Sequence, residues 1–142
     1  MSWTFYNSNG EALVQGAVEA TQAEMEAETA VTKFVPPDLV KHSPGVAKAW
    51  GSITSAGALE TPDHGVSSVT DSSTGVRVLI WTTAFSSGDY AIGASNDGAG
   101  TADVQVMYYH EGGRTTTQVQ ALSYTGTSAT DHPHSFVVFG DQ

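Results

Sequence analysis

From residue 46 onward the apolar residues come in short runs of strand length, set apart by clusters of Gly, Ser, Asp and Asn. Val66-Ser67-Ser68-Val69-Thr70 and Val76-Arg77-Val78-Leu79-Ile80-Trp81 flank Asp71-Ser72-Ser73-Thr74-Gly75, which reads as a hairpin whose loop ends on a glycine suited to the left-handed conformation. An earlier strand runs through Val46-Ala47 and Ala49-Trp50 to residue 53. Tyr90-Ala91-Ile92-Gly93-Ala94 form another, and residues 102–109 pair with 115–124 across Glu111-Gly112-Gly113. The last strand is Phe136-Val137-Val138-Phe139. Strands at this spacing predict an antiparallel β-sandwich with Trp50 and Trp81 in its core. Around Tyr108 the alternation is blurred, because Val104, Val106 and Tyr108 face Met107 and Tyr109 across the strand. A second buried face at a subunit contact accounts for that.

The first 45 residues read differently and form a connector. Ser2-Trp3-Thr4-Phe5-Tyr6, a turn at Asn7-Ser8-Asn9-Gly10 and Ala12-Leu13-Val14 give two short strands. Thr21-Gln22-Ala23-Glu24 has capping-box spacing and starts a short helix through Met25 and Ala27, with Glu24, Glu26 and Glu28 as a solvated acidic face. Pro36-Pro37-Asp38 opens a second short helix that Pro44 ends. Helices this short need a neighbour, either the rest of the chain or another copy.

Composition removes several classes of function. Cys 0 excludes thiol catalysis and cysteine-bound zinc, and a net charge of -10, from Lys+Arg 5 against Asp+Glu 15, makes nucleic acid an unsuitable ligand. No apolar run reaches membrane-spanning length, and the first residues lack the pattern of a signal peptide. There is no Gly-x-Ser-x-Gly elbow, no His-Glu-x-x-His and no phosphate-binding glycine loop, and Asp63-His64 beside common serines does not make a triad. The chain reads as a protein without a catalytic centre.

Several stretches together resemble phage tail fibre proteins: Ala20-Thr21-Gln22-Ala23-Glu24-Met25-Glu26-Ala27, Phe34-Val35-Pro36, and Pro44-Gly45-Val46-Ala47-Lys48-Ala49-Trp50. Gly65-Val66-Ser67-Ser68-Val69-Thr70-Asp71, Thr74-Gly75, Thr82-Thr83-Ala84-Phe85-Ser86-Ser87 with Tyr90, and Phe136-Val137-Val138-Phe139-Gly140 are similar to the β domain that ends many such fibres. The chain departs from the family in having serine at His42-Ser43-Pro44 and in starting without a shaft, as a tip fragment or a short attachment protein would. The resemblance implies a mainly β, homotrimeric module with residues 1–45 as a helical connector and 46–142 as a β-sandwich tip. It implies a place in the virion tail fibre, other fibre or virion parts as partners, and binding to a bacterial surface receptor, a glycan or an outer-membrane protein. The alternative is a structural or adaptor protein of the tail.

The region 96–131 carries no family motif, and loops on a rigid scaffold are where specificity is expected. The candidate receptor-binding residues are therefore Asn96, Asp97 and Thr101 in one loop, Arg114 after Gly112-Gly113, and the tyrosines Tyr108, Tyr109 and Tyr124, whose rings suit a sugar face. Asn96-Asp97-Gly98-Ala99-Gly100 with Asp103 has oxygen ligands but lacks the alternation of a calcium loop, so a plain turn is preferred. No cofactor is expected beyond one case. His132-Pro133-His134 puts two imidazoles on one side of an extended strand, and three copies about a threefold axis would offer six nitrogens to a metal ion. The competing reading is two polar loop residues.

Overall fold

The computed structural model describes residues 5–6, 8–10, 12–14, 18–29, 33–96 and 105–142. They fall into two compact units, Met1–Val46 and Ala47–Gln142.

In the first unit β1 (Phe5–Tyr6) and β2 (Ala12–Val14) pair antiparallel. Helix α1 (Gln22–Glu26) starts at the Thr21 capping box that the sequence spacing predicts. The second helix is a 3-10 turn, Pro37–His42, rather than an α-helix. Prolines at 36, 37 and 44 remove amide donors and leave three-residue bonds such as Leu39 N to the Pro36 carbonyl and Ser43 N to that of Val40 (3.0 and 3.1 Å). Lys33 Nζ donates to both carboxylate oxygens of Glu24 (2.7 and 2.9 Å), and Thr21 N donates to one of them (2.9 Å). These contacts, the Lys33 hydrogen bond first, hold the Glu24 carboxyl down to about 2. A carboxyl whose folded value is depressed adds stability that is fully present above its unfolded value and is lost as pH falls through the folded one. Carbon-detected NMR should accordingly find Glu24 titrating near 2 in the folded chain and moving toward 4.5 in Lys33→Ala.

The second unit is mainly β. Among the described residues its strands are β3 (Ala49–Ile53), β4 (Leu59–His64), β5 (Val66–Ser73), β6 (Val76–Trp81), β7 (Ala91–Asn96), β8 (Gln105–His110), β9 (Gln118–Thr125), β10 (Ser128–Ala129) and β11 (His134–Phe139). They form two antiparallel sheets. One has the order β4-β3-β11-β7; the other runs β10-β9-β6-β5, with β8 also paired to β9. Strand β4 was not expected, because Leu-Glu-Thr-Pro-Asp-His has neither apolar alternation nor a clean donor pattern; it is an edge strand, where proline is tolerated.

Buried side chains from both sheets make one cluster: Ala49, Ile53, Phe136 and Val138 from the first, and Leu79, Trp81, Val119 and Ala121 from the second. Two glycines permit the tight joins. Gly65, between β4 and β5, has φ 72°, and a Cβ there would lie 2.1 Å from the Lys48 carbonyl oxygen. Gly75 ends the β5–β6 turn with φ 73°, as expected of the hairpin.

The two tryptophans part company. Trp81 is 4% exposed, its ring edge-on to Phe85 and Tyr90 at 5.8 Å. Trp50 is 39% exposed, so its expected place in the core is corrected. The reason lies in its neighbours. Ala49, Gly51 and Ile53 point inward, and a Cβ on Gly51 would already touch the Phe136 ring at 3.4 Å. The interior at that level has no room for an indole, and period-two alternation sends Trp50 to the outer face.

Candidate functional site

The outer face of the β4-β3-β11-β7 sheet is ordered by its register, since directly opposed residues in antiparallel strands share a face. One row across the sheet is His64, Trp50, Val137, Gly93; the next is Glu60, Ser52, Ser135, Ser95. An aromatic and apolar strip therefore runs beside a strip of hydroxyls that ends in a carboxylate. The indole of Trp50 lies beside the His64 imidazole, with centroids 6.4 Å apart and planes 24° off parallel. Ser52 Oγ and Ser135 Oγ are 2.8 Å apart. Glu60 is exposed and has no ion-pair partner among the described residues. At the far end Gly93 offers no side chain, and a shallow depression of about 450 Å³ opens there, lined by Gly93, Ala94, Ser95, Ser135, Phe136 and Val137.

The second unit brings no exposed Lys or Arg to this face: its Lys48 and Arg77 are buried, and its Arg114 is half-buried against Tyr90. The surface is thus suited to a neutral polar ligand with one apolar side.

Of the residues singled out in the sequence, those that the structure describes are not part of these two rows. Asp97 and Thr101 fall outside the described residues. Asn96 ends β7 opposite His134, half-buried, with its Oδ1 enclosed and without a hydrogen-bond partner among the described residues. Tyr108 sits in β8 opposite Leu122. Tyr109 packs against the core, and burial pushes its hydroxyl well above the ordinary tyrosine range. Tyr124 is half-buried in β9, opposed by Val106 and Ala129.

Arg114 serves the interior side of the unit. Its Nη1 donates to the Tyr90 carbonyl (2.9 Å) and its guanidinium lies 5.5 Å from the Tyr90 ring centre. Tyr90 Oη in turn accepts from Trp81 Nε1 (3.2 Å) and donates to the carbonyls of Thr115 and Gln118 (3.0 and 2.9 Å). Burial raises the Tyr90 pKa, against the Trp81 hydrogen bond and the Arg114 charge. Arg114 thus braces an aromatic cluster instead of offering its full fork to a ligand.

Both histidines of His132-Pro133-His134 are inside, at 8% and 1% exposure. His132 Nε2 lies 2.7 Å from Thr125 Oγ1, and His134 Nδ1 lies 3.2 Å from the His132 carbonyl oxygen. An ion shared on a threefold axis would require these rings to leave their present positions.

Comparison of the chain with protein-family models, with curated proteins and with solved structures finds no match. Function is therefore argued from the residues and the geometry. The site that sequence reasoning missed is the Trp50 face, and the signal for it was present: Ala49 and Gly51 are small residues in the inward phase of β3, which leaves the outward phase to Trp50 and Ser52.

Proposed function

We propose that this chain is the receptor-binding tip of a phage tail fibre, a homotrimeric β-sandwich module in the virion that attaches to a bacterial surface and acts without turnover or cofactor. The observation that carries the reading is Trp50, a large aromatic side chain exposed on a flat sheet face between an imidazole and a row of hydroxyls. An indole left in water on a rigid sheet contributes nothing to the core, and such side chains are frequent anchors of recognition. The resemblance of the motif stretches to tail fibre proteins gives the biological setting.

Two features support assembly. Val18, Phe34, Val35 and Val40 of the first unit are 38 to 58% exposed, apolar surface that another copy would cover. Strand β7, an edge among the described residues, reads Ala-Ile-Gly-Ala-Ser-Asn and has none of the charges, prolines or bulges that protect edges. It is also free of the negative charge that would keep copies of a -10 chain apart. A trimer uses such an edge by pairing it with a different surface of the next copy, whereas β7 against β7 gives a dimer.

Light scattering at micromolar concentration should give three times the monomer mass; a monomer or a dimer would overturn the trimer. The labelled protein should sediment with intact cells of some strains in a bacterial panel. Absence of binding to every strain, with a stable trimer, would favour an adaptor of the tail.

A further inference from the structure

We infer that the ligand of the Trp50 face is a neutral saccharide, one pyranose ring stacking on the Trp50 indole with its hydroxyl edge turned to Glu60 and Ser52. This rests on the attachment reading and names the ligand class at that same site.

Trp50 and Ser52 are two residues apart on β3, about 6.8 Å, and Glu60 is directly opposite Ser52. A flat ring on the indole therefore has its edge within hydrogen-bonding reach of a carboxylate and a hydroxyl. A sugar ring needs both surfaces at once: its axial C–H groups present an apolar side, and its equatorial hydroxyls must be satisfied when they leave water. Glu60 accepts from two hydroxyls, and Ser52 Oγ, bonded to Ser135 Oγ, keeps acceptor capacity for a further one.

Charge selects among saccharides. The face holds a carboxylate and, within the second unit, no exposed Lys or Arg, and the chain is strongly acidic, so sialylated, uronic or phosphorylated glycans are repelled. The two rows extend across four strands, about 14 Å from Glu60 to Ser95, and continue into the depression at Gly93. That length takes a short oligosaccharide instead of a single ring.

The test uses the full chain on an array of neutral and acidic glycans, with saturation-transfer NMR on the sugars that bind. The expected result is binding to neutral hexose or N-acetylhexosamine glycans, with saturation strongest on ring C–H protons. Trp50→Ala should weaken it at least about tenfold, as loss of a central aromatic anchor does, and Trp50→Phe should restore part of it. Glu60→Gln should weaken it about threefold to tenfold through loss of a charged acceptor, with unchanged melting. Preference for acidic glycans, or neutral-glycan binding indifferent to both substitutions, overturns the inference. If no glycan binds while cells are still bound in a Trp50-dependent way, the saccharide is wrong and the attachment reading stands, with a protein receptor. If neither glycans nor cells bind and Trp50→Ala alters the oligomer mass, both fail and the face is a subunit contact.

Discussion

Arg77→Ala is expected to destabilise the β unit by about 3–5 kcal/mol, the range seen when one partner of a buried charged network is removed. Arg77 is in β6 in the inward phase and is 1% exposed. Its Nη1 donates to the His132 carbonyl (2.9 Å), its Nη2 donates to the Ser55 carbonyl, and Nη2 lies 3.5 Å from Asp131 Oδ1. The guanidinium thus ties β6 to the β3–β4 turn and to the segment leading into β11, which belongs to the other sheet. Asp131 Oδ1 also accepts from Gly75 N (2.7 Å), so the same carboxylate fastens the β5–β6 turn. Truncation removes the guanidinium donor from the buried His132 carbonyl and the part-buried Ser55 carbonyl, and the counter-charge from the half-buried Asp131 carboxylate. Arg77→Met should not rescue stability, because it fills space without serving the carbonyls, and Arg77→Lys should rescue only part, since a single ammonium cannot reproduce the fork. Chemical denaturation measures it. A loss below about 1 kcal/mol for Arg77→Ala would mean that water reaches those carbonyls, as an exposed surface pair would allow.

Trp81→Ala should have a similar effect, about 3–5 kcal/mol, as truncations of buried aromatics do. The indole packs edge-on against both Phe85 and Tyr90, which themselves stack at 4.3 Å, and its Nε1 donates to the Tyr90 hydroxyl. Removal therefore opens a cavity and takes one hydrogen bond from a buried tyrosine. For a unit of this size such a loss lowers Tm by more than about 10 °C. Trp81→Phe keeps most of the volume and should restore more than half of the loss. Equal melting of Trp81→Ala and the parent would contradict the inward phase of β6. Trp50→Ala, on the same reasoning, should melt close to the parent.

The contrast between the two tryptophans shows what was legible in the sequence. In Val76-Arg77-Val78-Leu79-Ile80-Trp81 both phases are apolar enough that strand and burial follow from composition alone, and Trp81 is where that reading puts it. In Ala49-Trp50-Gly51-Ser52-Ile53 the phase decides the matter, and glycine is the informative residue, since it marks where Phe136 presses from the opposite strand. That contact joins residues 85 apart in sequence, which local patterning does not reveal. The histidines follow the same rule. His134 shares its phase with Phe136 and Val138, so the alternation that put two imidazoles on one side also put them on the inner side. Arg114 was read as a ligand-facing residue after two glycines; its tie is to Tyr90, 24 residues away in sequence. Turn chemistry was the most readable level, as the Thr21 capping box and the Gly75 turn both show. Edge strand β4 was the least, because an edge relaxes the demands by which strands are recognised.

The central claim is that attachment is carried by the Trp50 face of the β4-β3-β11-β7 sheet. The most direct measurement is the binding isotherm of labelled protein on intact cells of a strain that the parent binds, with Trp50→Ala compared at equal melting temperature and equal oligomer mass. The folded variant should lose at least about tenfold in affinity, the effect of removing a central aromatic anchor. A folded Trp50→Ala trimer that binds those cells as tightly as the parent would contradict it.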